Sequence, residues 1–195
     1  MKRSADISRK TGETQIQVRL DLDGSGKAHI DTPIPFFNHM LSLFTVHGFF
    51  DLSVKASGDI EVDFHHTVED VGLVLGDALR ESLGDRKGIR RFGHAVTPMD
   101  DALSAVTMDL SNRPFLVFKV DVTVAGTSGF DLSLAKEFFR ALATRGGMNL
   151  HIHVPYGENH HHIIESIFKG AGRALGKATS LDERIRQVRS TKGLL

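Results

Sequence analysis

The chain has 195 residues, one compact domain or two small fused ones at roughly 100–200 residues per domain. Hydrophobic residues make up 41% and charged residues 25%, which excludes disorder as a global description, and 24 Lys+Arg balance 24 Asp+Glu, so the basic excess of a general nucleic-acid binder is absent. There is no Cys, which excludes disulfides, thiolate metal sites and cysteine nucleophiles; with no signal peptide and no run of the ~20 apolar residues that a membrane helix needs, the expected location is the cytoplasm.

In chain order, ETQIQVRLDL (13–22) alternates polar and apolar residues as a half-buried strand does. DGSG (23–26) turns the chain into a second strand, KAHIDT (27–32). Residues 35–47 read as a helix ended by Gly48, and DLSVKASG (51–58) as a strand. Residues 65–83 are helical, with Val68, Val71, Leu75, Leu79 and Leu83 on one core-facing stripe. Strands follow at 101–110 and 114–124, then a helix at 132–145, a strand at 148–154, a helix at 161–178 and a charged, extended tail at 181–195.

The order ββαβα occurs twice, and the residues repeat with it. Aligning His65 with His161 also matches His66 with His162, Glu69 with Glu165, Gly76 with Gly172, Ala78 with Ala174 and Leu79 with Leu175. Upstream, FFNHMLSLFTVHG (36–48) parallels LAKEFFRALATRG (134–146), and DLSVKA (51–56) parallels NLHIHV (149–154). The expected fold is α+β: a tandem duplication of a ββαβα half-domain, with sheets covered by helices on one face. No low-complexity linker separates the halves, so residues 1–195 form a single domain of two repeats, about 1–93 and 94–195.

Five of the 11 His fall in two clusters, 65–66 and 160–162. On a helix, residues four apart share a face, so His65 and Glu69 can converge on one ion, as can His161 and Glu165. His66 and His162 are each rotated by about 100° from their neighbours. One arrangement exchanges them: His65, Glu69 and His162 form one site, and His161, Glu165 and His66 the other. His39 and Glu137 occupy matching slots on the upstream helices and offer a further ligand to each. Such imidazole and carboxylate sites suit Mn, Fe, Zn or Co. His160 lies outside the repeat and is given no metal role, and alternate spacing on a strand gives His151 and His153 a structural or supporting one. Lys169, four residues after Glu165, points toward the same face or simply pairs with Glu165.

HHTVEDVGLVLGDAL (65–79) and HHIIESIFKGAGRAL (161–175) closely resemble the two signature segments of the imidazoleglycerol-phosphate dehydratase family. FFNHMLSLFTVHGFFDL (36–52), GIRRFG (88–93), TPMDDAL (97–103), DLSNRPF (109–115) and STKG (190–193) resemble further segments of it in the same order. The resemblance implies a duplicated half-domain that removes water from imidazole glycerol phosphate to give imidazole acetol phosphate in histidine biosynthesis. It implies two manganese ions per subunit, other divalent ions being alternatives, held by His39, His65, His66, Glu69, His161, His162 and Glu165, with Glu137 where some members have His. It implies Glu13 as an acid/base group and Arg91, Arg113, Lys169, Ser190 and Lys192 as contacts to the substrate phosphate. The residues themselves add two catalytic candidates: His47, about 12 Å along its helix from His39 and so a substrate contact rather than a ligand to the same ion, and Asp100, which with Asp101 reads as a proton relay or a helix cap. The resemblance further implies a homo-oligomer of cubic symmetry with 24 subunits. On the residues alone, another dinuclear metalloenzyme such as a phosphatase, a non-catalytic metal-storage module and an RNA-binding module compete, the last disfavoured by a single Tyr and no Trp.

Overall fold

The structure, a computed structural model, describes residues 2–122 and 129–193. The first half runs β1 (Ser4–Lys10), β2 (Thr14–Asp21), β3 (Ala28–Asp31), α1 (Pro35–Gly48), β4 (Asp51–Gly58) and α2 (His65–Leu83). The second runs β5 (Phe92–Met99), β6 (Ala102–Asp109), β7 (Phe115–Val120), α3 (Leu132–Gly146), β8 (Asn149–Tyr156) and α4 (His160–Thr179). The two sheets have the same strand order, β1-β2-β4-β3 and β5-β6-β8-β7, and in each the third strand pairs parallel with the fourth.

Each half therefore opens with a strand beyond the expected ββαβα, and the observed unit is βββαβα. Both extra strands are sheet edges, paired on one side only. Edge strands tolerate charge and proline, which disguise them. β1 reads SADISRK, and β5 carries Gly93 and Pro98 within FGHAVTPM. Within TPMDD, Thr97 to Met99 lie in β5, and Asp100 and Asp101 make the turn into β6. The end of the expected strand at 114–124 and the end of the tail lie outside the described residues.

In β2, Ile16, Val18 and Leu20 are buried and Gln15, Gln17 and Arg19 exposed, so the sheet has one covered face. α2 packs on β1 and β2, and α4 on β5 and β6. The tightest helix pairs join the two halves: α2 with α3, and α1 with α4. Glycines permit this approach. A Cβ on Gly172 of α4 would sit 2.2 Å from the Phe44 carbonyl oxygen of α1, and one on Gly76 of α2 would sit 2.7 Å from Arg145 Cβ of α3. The repeated glycine of the two signature segments thus brings the backbones of each pair together. One hydrophobic cluster runs through both halves, with Phe37, Phe138 and Phe168 at its centre. Among the described residues no helix is long and apolar enough to cross a membrane.

Candidate active site

The close α2–α3 and α1–α4 pairs each bring together a three-residue donor group. On α2, His65 Nε2 stands 3.7 Å from Glu69 Oε2, and α3 adds Glu137; one donor atom from each of the three lies within 4.8 Å of the others. On α4, His161 Nε2 stands 3.0 Å from Glu165 Oε2, and α1 brings His39 Nε2 to 3.5 Å of the same oxygen. His39 and Glu137, matched by the repeat, thus take equivalent places. Imidazole and carboxylate without thiolate is a donor chemistry that fits borderline or hard divalent ions. Each group also has a cation against its carboxylates. Arg140 bonds Glu137 Oε2 at 2.7 Å and Glu69 Oε1 at 3.0 Å, and Lys169 pairs with Glu165. Burial raises the pKa of Glu165, but hydrogen bonds from Lys169 and His161 outweigh it and hold the carboxyl below its ordinary value. Arg140 carried no signal in the sequence, because its significance depends on the α2–α3 contact.

The first turns of α2 and α4 supply the paired imidazoles. Asn159 caps α4 by accepting from His161 N at 2.8 Å and His162 N at 3.3 Å, and Asp63 accepts from His65 N at 2.7 Å. The positive end of a helix dipole favours the neutral, ligating form of an imidazole. Neither donor group includes His66 or His162, so the exchanged arrangement does not occur within one chain. The 100° rotation carries each ring off its own helix's donor pair and toward a carboxylate. His66 Nδ1 lies 3.0 Å from Asp59 Oδ2 and 3.8 Å from Glu13 Oε2. The Asp59 hydrogen bond raises the His66 pKa. His162 Nδ1 bonds Asp101, and its Nε2 lies 3.4 Å from Asp100 Oδ2. Asp101 also accepts from Asn159 N at 2.9 Å, and these bonds, that from His162 largest, hold its carboxyl well below the usual range. In both cases Nδ1 is engaged by a carboxylate, which leaves Nε2 as the remaining donor nitrogen, that of His162 beside Asp100.

His47 lies in the last turn of α1; burial and the nearby Lys169 and Arg173 charges push its pKa down. His160 is buried beside the α4 group without joining it. His151 and His153 bond Asn149 and Asp121 on the exposed face of β8 and approach neither group.

A cleft of about 660 Å³ collects Arg91, Arg113, Ser190 and Lys192, together with Asn112, Arg189 and Thr191, which sequence reasoning missed. Four of the five expected phosphate contacts thus meet in one place. The fifth, Lys169, lies apart, with Glu165. The Arg91 amide bonds the Ala178 carbonyl at the C-terminal end of α4, thirteen residues beyond Glu165, or about 20 Å at 1.5 Å per residue. Asn112 abuts Gly147, ten residues beyond Glu137, or about 15 Å. The cleft and both donor groups therefore occupy opposite ends of the helices.

The family model described as imidazoleglycerol-phosphate dehydratase matches residues 32–175. The imidazoleglycerol-phosphate dehydratase of Desulfosudis oleivorans is 64% identical over 195 residues, covering 100% of both chains, and that of Trichlorobacter lovleyi is 56% identical over the same span. Among solved structures, IGPD from Pyrococcus furiosus in complex with (S)-C348 superposes with a TM-score of 0.84 at 42% identity, covering 97% of this chain and 100% of that one. The Staphylococcus aureus enzyme gives 0.80 at 36% identity, covering 92% of this chain and 99% of that one. Likeness of this extent, over the fold and over both histidine segments, means that the chain belongs to the imidazoleglycerol-phosphate dehydratase family.

Proposed function

We propose that this dehydratase converts imidazole glycerol phosphate to imidazole acetol phosphate in a reaction that depends on two divalent ions per chain, Mn²⁺ being the first choice. The observation that carries the reading is the repeated donor geometry: His65, Glu69 and Glu137 on one helix pair, and His39, His161 and Glu165 on the other. His66 and His162, each with Nδ1 held by a carboxylate, would add Nε2 as a further ligand. Divalent ions held by these groups would act as Lewis acids toward the substrate imidazole and fix its orientation.

The chain's own groups do the rest. Glu13 presents a 60% exposed carboxylate beside His66, where it can take the proton from the substrate carbon. Asp100, 70% exposed and 3.4 Å from His162, can relay a proton taken from solvent to the leaving hydroxyl, so that the hydroxyl departs as water while Glu13 keeps the proton from carbon. His47, kept neutral by burial and by Lys169 and Arg173, is free to accept a hydrogen bond from substrate. Arg113, Lys192 and Ser190 hold the phosphate in the cleft. Family membership favours this chemistry over the phosphatase, storage and RNA-binding readings.

The imidazole and phosphate of this substrate are joined by a three-carbon chain, which cannot span the length of α4. The separation of cleft and donor groups therefore supports an active site assembled between chains, and with it a homo-oligomer, for which the cubic assembly of 24 is the family's form. Exposed Phe92, Val96, Phe115 and Tyr156 on the second half, 50 to 60% accessible, supply apolar area for such contacts. Cytoplasmic placement accords with a phosphorylated metabolite as substrate. The test is reconstitution of metal-free protein with Mn²⁺: two ions per chain and turnover of imidazole glycerol phosphate only when loaded are expected. One ion or none at saturation, or full turnover without metal, would sink the proposal.

A further inference from the structure

The Glu13 carboxylate has little to hold it. Its nearest partner is His66 at 3.8 Å, and the side chain has three rotatable bonds. Its backbone, by contrast, is tied on every side. The Thr11 hydroxyl accepts from Glu13 N at 3.1 Å and from Thr14 N at 2.9 Å, Thr11 N donates to the Thr14 carbonyl at 2.9 Å, and the Glu13 carbonyl accepts from Asp59 N at 3.2 Å. The turn is then anchored to α2: the buried Thr14 hydroxyl donates to Asp70 Oδ2, and Arg9 stands 3.5 Å from the other oxygen. Asp70 directly follows Glu69, so one helix carries His65 and Glu69 of the donor group, His66 and the anchor for Glu13.

A buried carboxylate on a helix whose Val68, Val71 and Val74 are also buried is an expensive way to stabilise it. The duplication shows that the fold does not require it. Val18 opposite Val54 corresponds to Val106 opposite Ile152 and, past a register shift near Leu103 on the β8 side, Lys10 opposite Gln15 corresponds to Pro98 opposite Leu103, so Thr14 corresponds to Ala102 and Glu13 to Asp101. Asp70 corresponds to Ser166, whose hydroxyl bonds the Ile163 carbonyl of its own helix. The second half builds the same sheet and helix with no Thr–Asp tie. There the carboxylate itself is engaged, by Asn159 N and His162. The first half ties the backbone and leaves the carboxylate free.

We propose that Asp70, acting through the Thr14 hydroxyl, is a positioning residue that sets the Glu13 carboxylate against the histidine face of α2. This rests on the reading that Glu13 moves the substrate proton. The test uses the Mn²⁺-loaded protein and imidazole glycerol phosphate as substrate. Thr14→Val, which keeps the volume and removes the donor, should lower kcat about 10- to 100-fold, the scale of a small misplacement of a catalytic group. KM and two ions per chain should be retained, and Thr14→Ser should restore most of the rate. In a Glu13→Gln background, Thr14→Val should cost almost nothing further, because the group it positions is gone. Thr14→Ala/Asp70→Ser reproduces the pair that the second half folds with; it should fold, bind metal and show the same kcat loss should Thr14→Val prove unstable. An unchanged kcat, a loss of metal, or equal losses in parent and Glu13→Gln backgrounds would overturn the positioning role. Near-parental turnover of Glu13→Gln alone would overturn instead the role of Glu13 on which it rests.

Discussion

Three donors of Arg91 are already committed, Nε and Nη2 to Asp109 at 2.6 and 2.8 Å and Nη1 to the Arg189 carbonyl at 2.6 Å. Among the described residues nothing pairs with the Arg113 guanidinium or the Lys192 ammonium, which line the same cleft. The two kinds of cation should therefore behave differently. Arg91 holds the tail against the second half, and its removal would release a carboxylate and a carbonyl. On the proposed reading, Arg113 and Lys192 are the charges left to meet a phosphate. A hydrogen bond to a charged group is worth about 1.5–3 kcal/mol. Arg113→Ala or Lys192→Ala should accordingly raise KM about 10- to 100-fold, with bound metal and unfolding midpoint unchanged. A variant that instead loses its ions would place that residue in the metal centre.

At the scale of elements, α4 can supply its donor group only while it lies hard against α1. The carbonyl of Phe44 stands where a side chain at 172 would begin, and that atom belongs to a helix backbone that cannot rotate aside. Gly172→Ala should push the helices apart, costing about 1–3 kcal/mol of overpacking against which alanine's better helix propensity returns up to ~1. His39 would be drawn from His161 and Glu165, so the variant should show both a lower urea midpoint and a loss of metal from this centre alone. A fully loaded Gly172→Ala of parental stability would contradict this account of the pairing. The glycine was legible in the sequence because it repeats, as were the helices and the HHxxE pairs, whose spacing follows from 3.6 residues per turn. β1 and β5 were not: edge strands need one good face only, and the charges of the first and the Gly and Pro of the second read as loop. Nor was the destination of His66 and His162. Helix geometry turns them from their own donor pairs, but Asp59 and Asp101 meet them from a loop before α2 and a hairpin turn of the other sheet, contacts that no local spacing encodes. Asp101 was visible only as a carboxylate at the start of an expected strand, and Arg140 only as a helix-surface cation.

For the whole molecule, the decisive geometry is the length of α4. Its first turn carries His161 and its last abuts Arg91 and the phosphate cleft, so no substrate with a short linker can use both ends of one chain. If the cleft of one chain completes the donor groups of another, the defects of two impaired variants can be separated. His161→Asn disables a donor group and leaves the cleft; Arg113→Ala does the reverse. Dissociated and reassembled together in equal amounts, they should give mixed oligomers in which about a quarter of the sites combine an intact donor group with an intact cleft, if chains assort at random. Measured at substrate below the parental KM, where a rise in KM of about 10- to 100-fold leaves about a tenth of the rate or less, turnover should recover toward that fraction of the parental value, while each variant reassembled alone stays well below it. A tag on one variant, used to recover the other by affinity, checks that mixing has occurred. Should mixed oligomers form and show no recovery, cleft and donor groups would have to serve each other within one chain, and the separation along α4 would need to close by a movement of the cleft segment around Ser190 and Lys192.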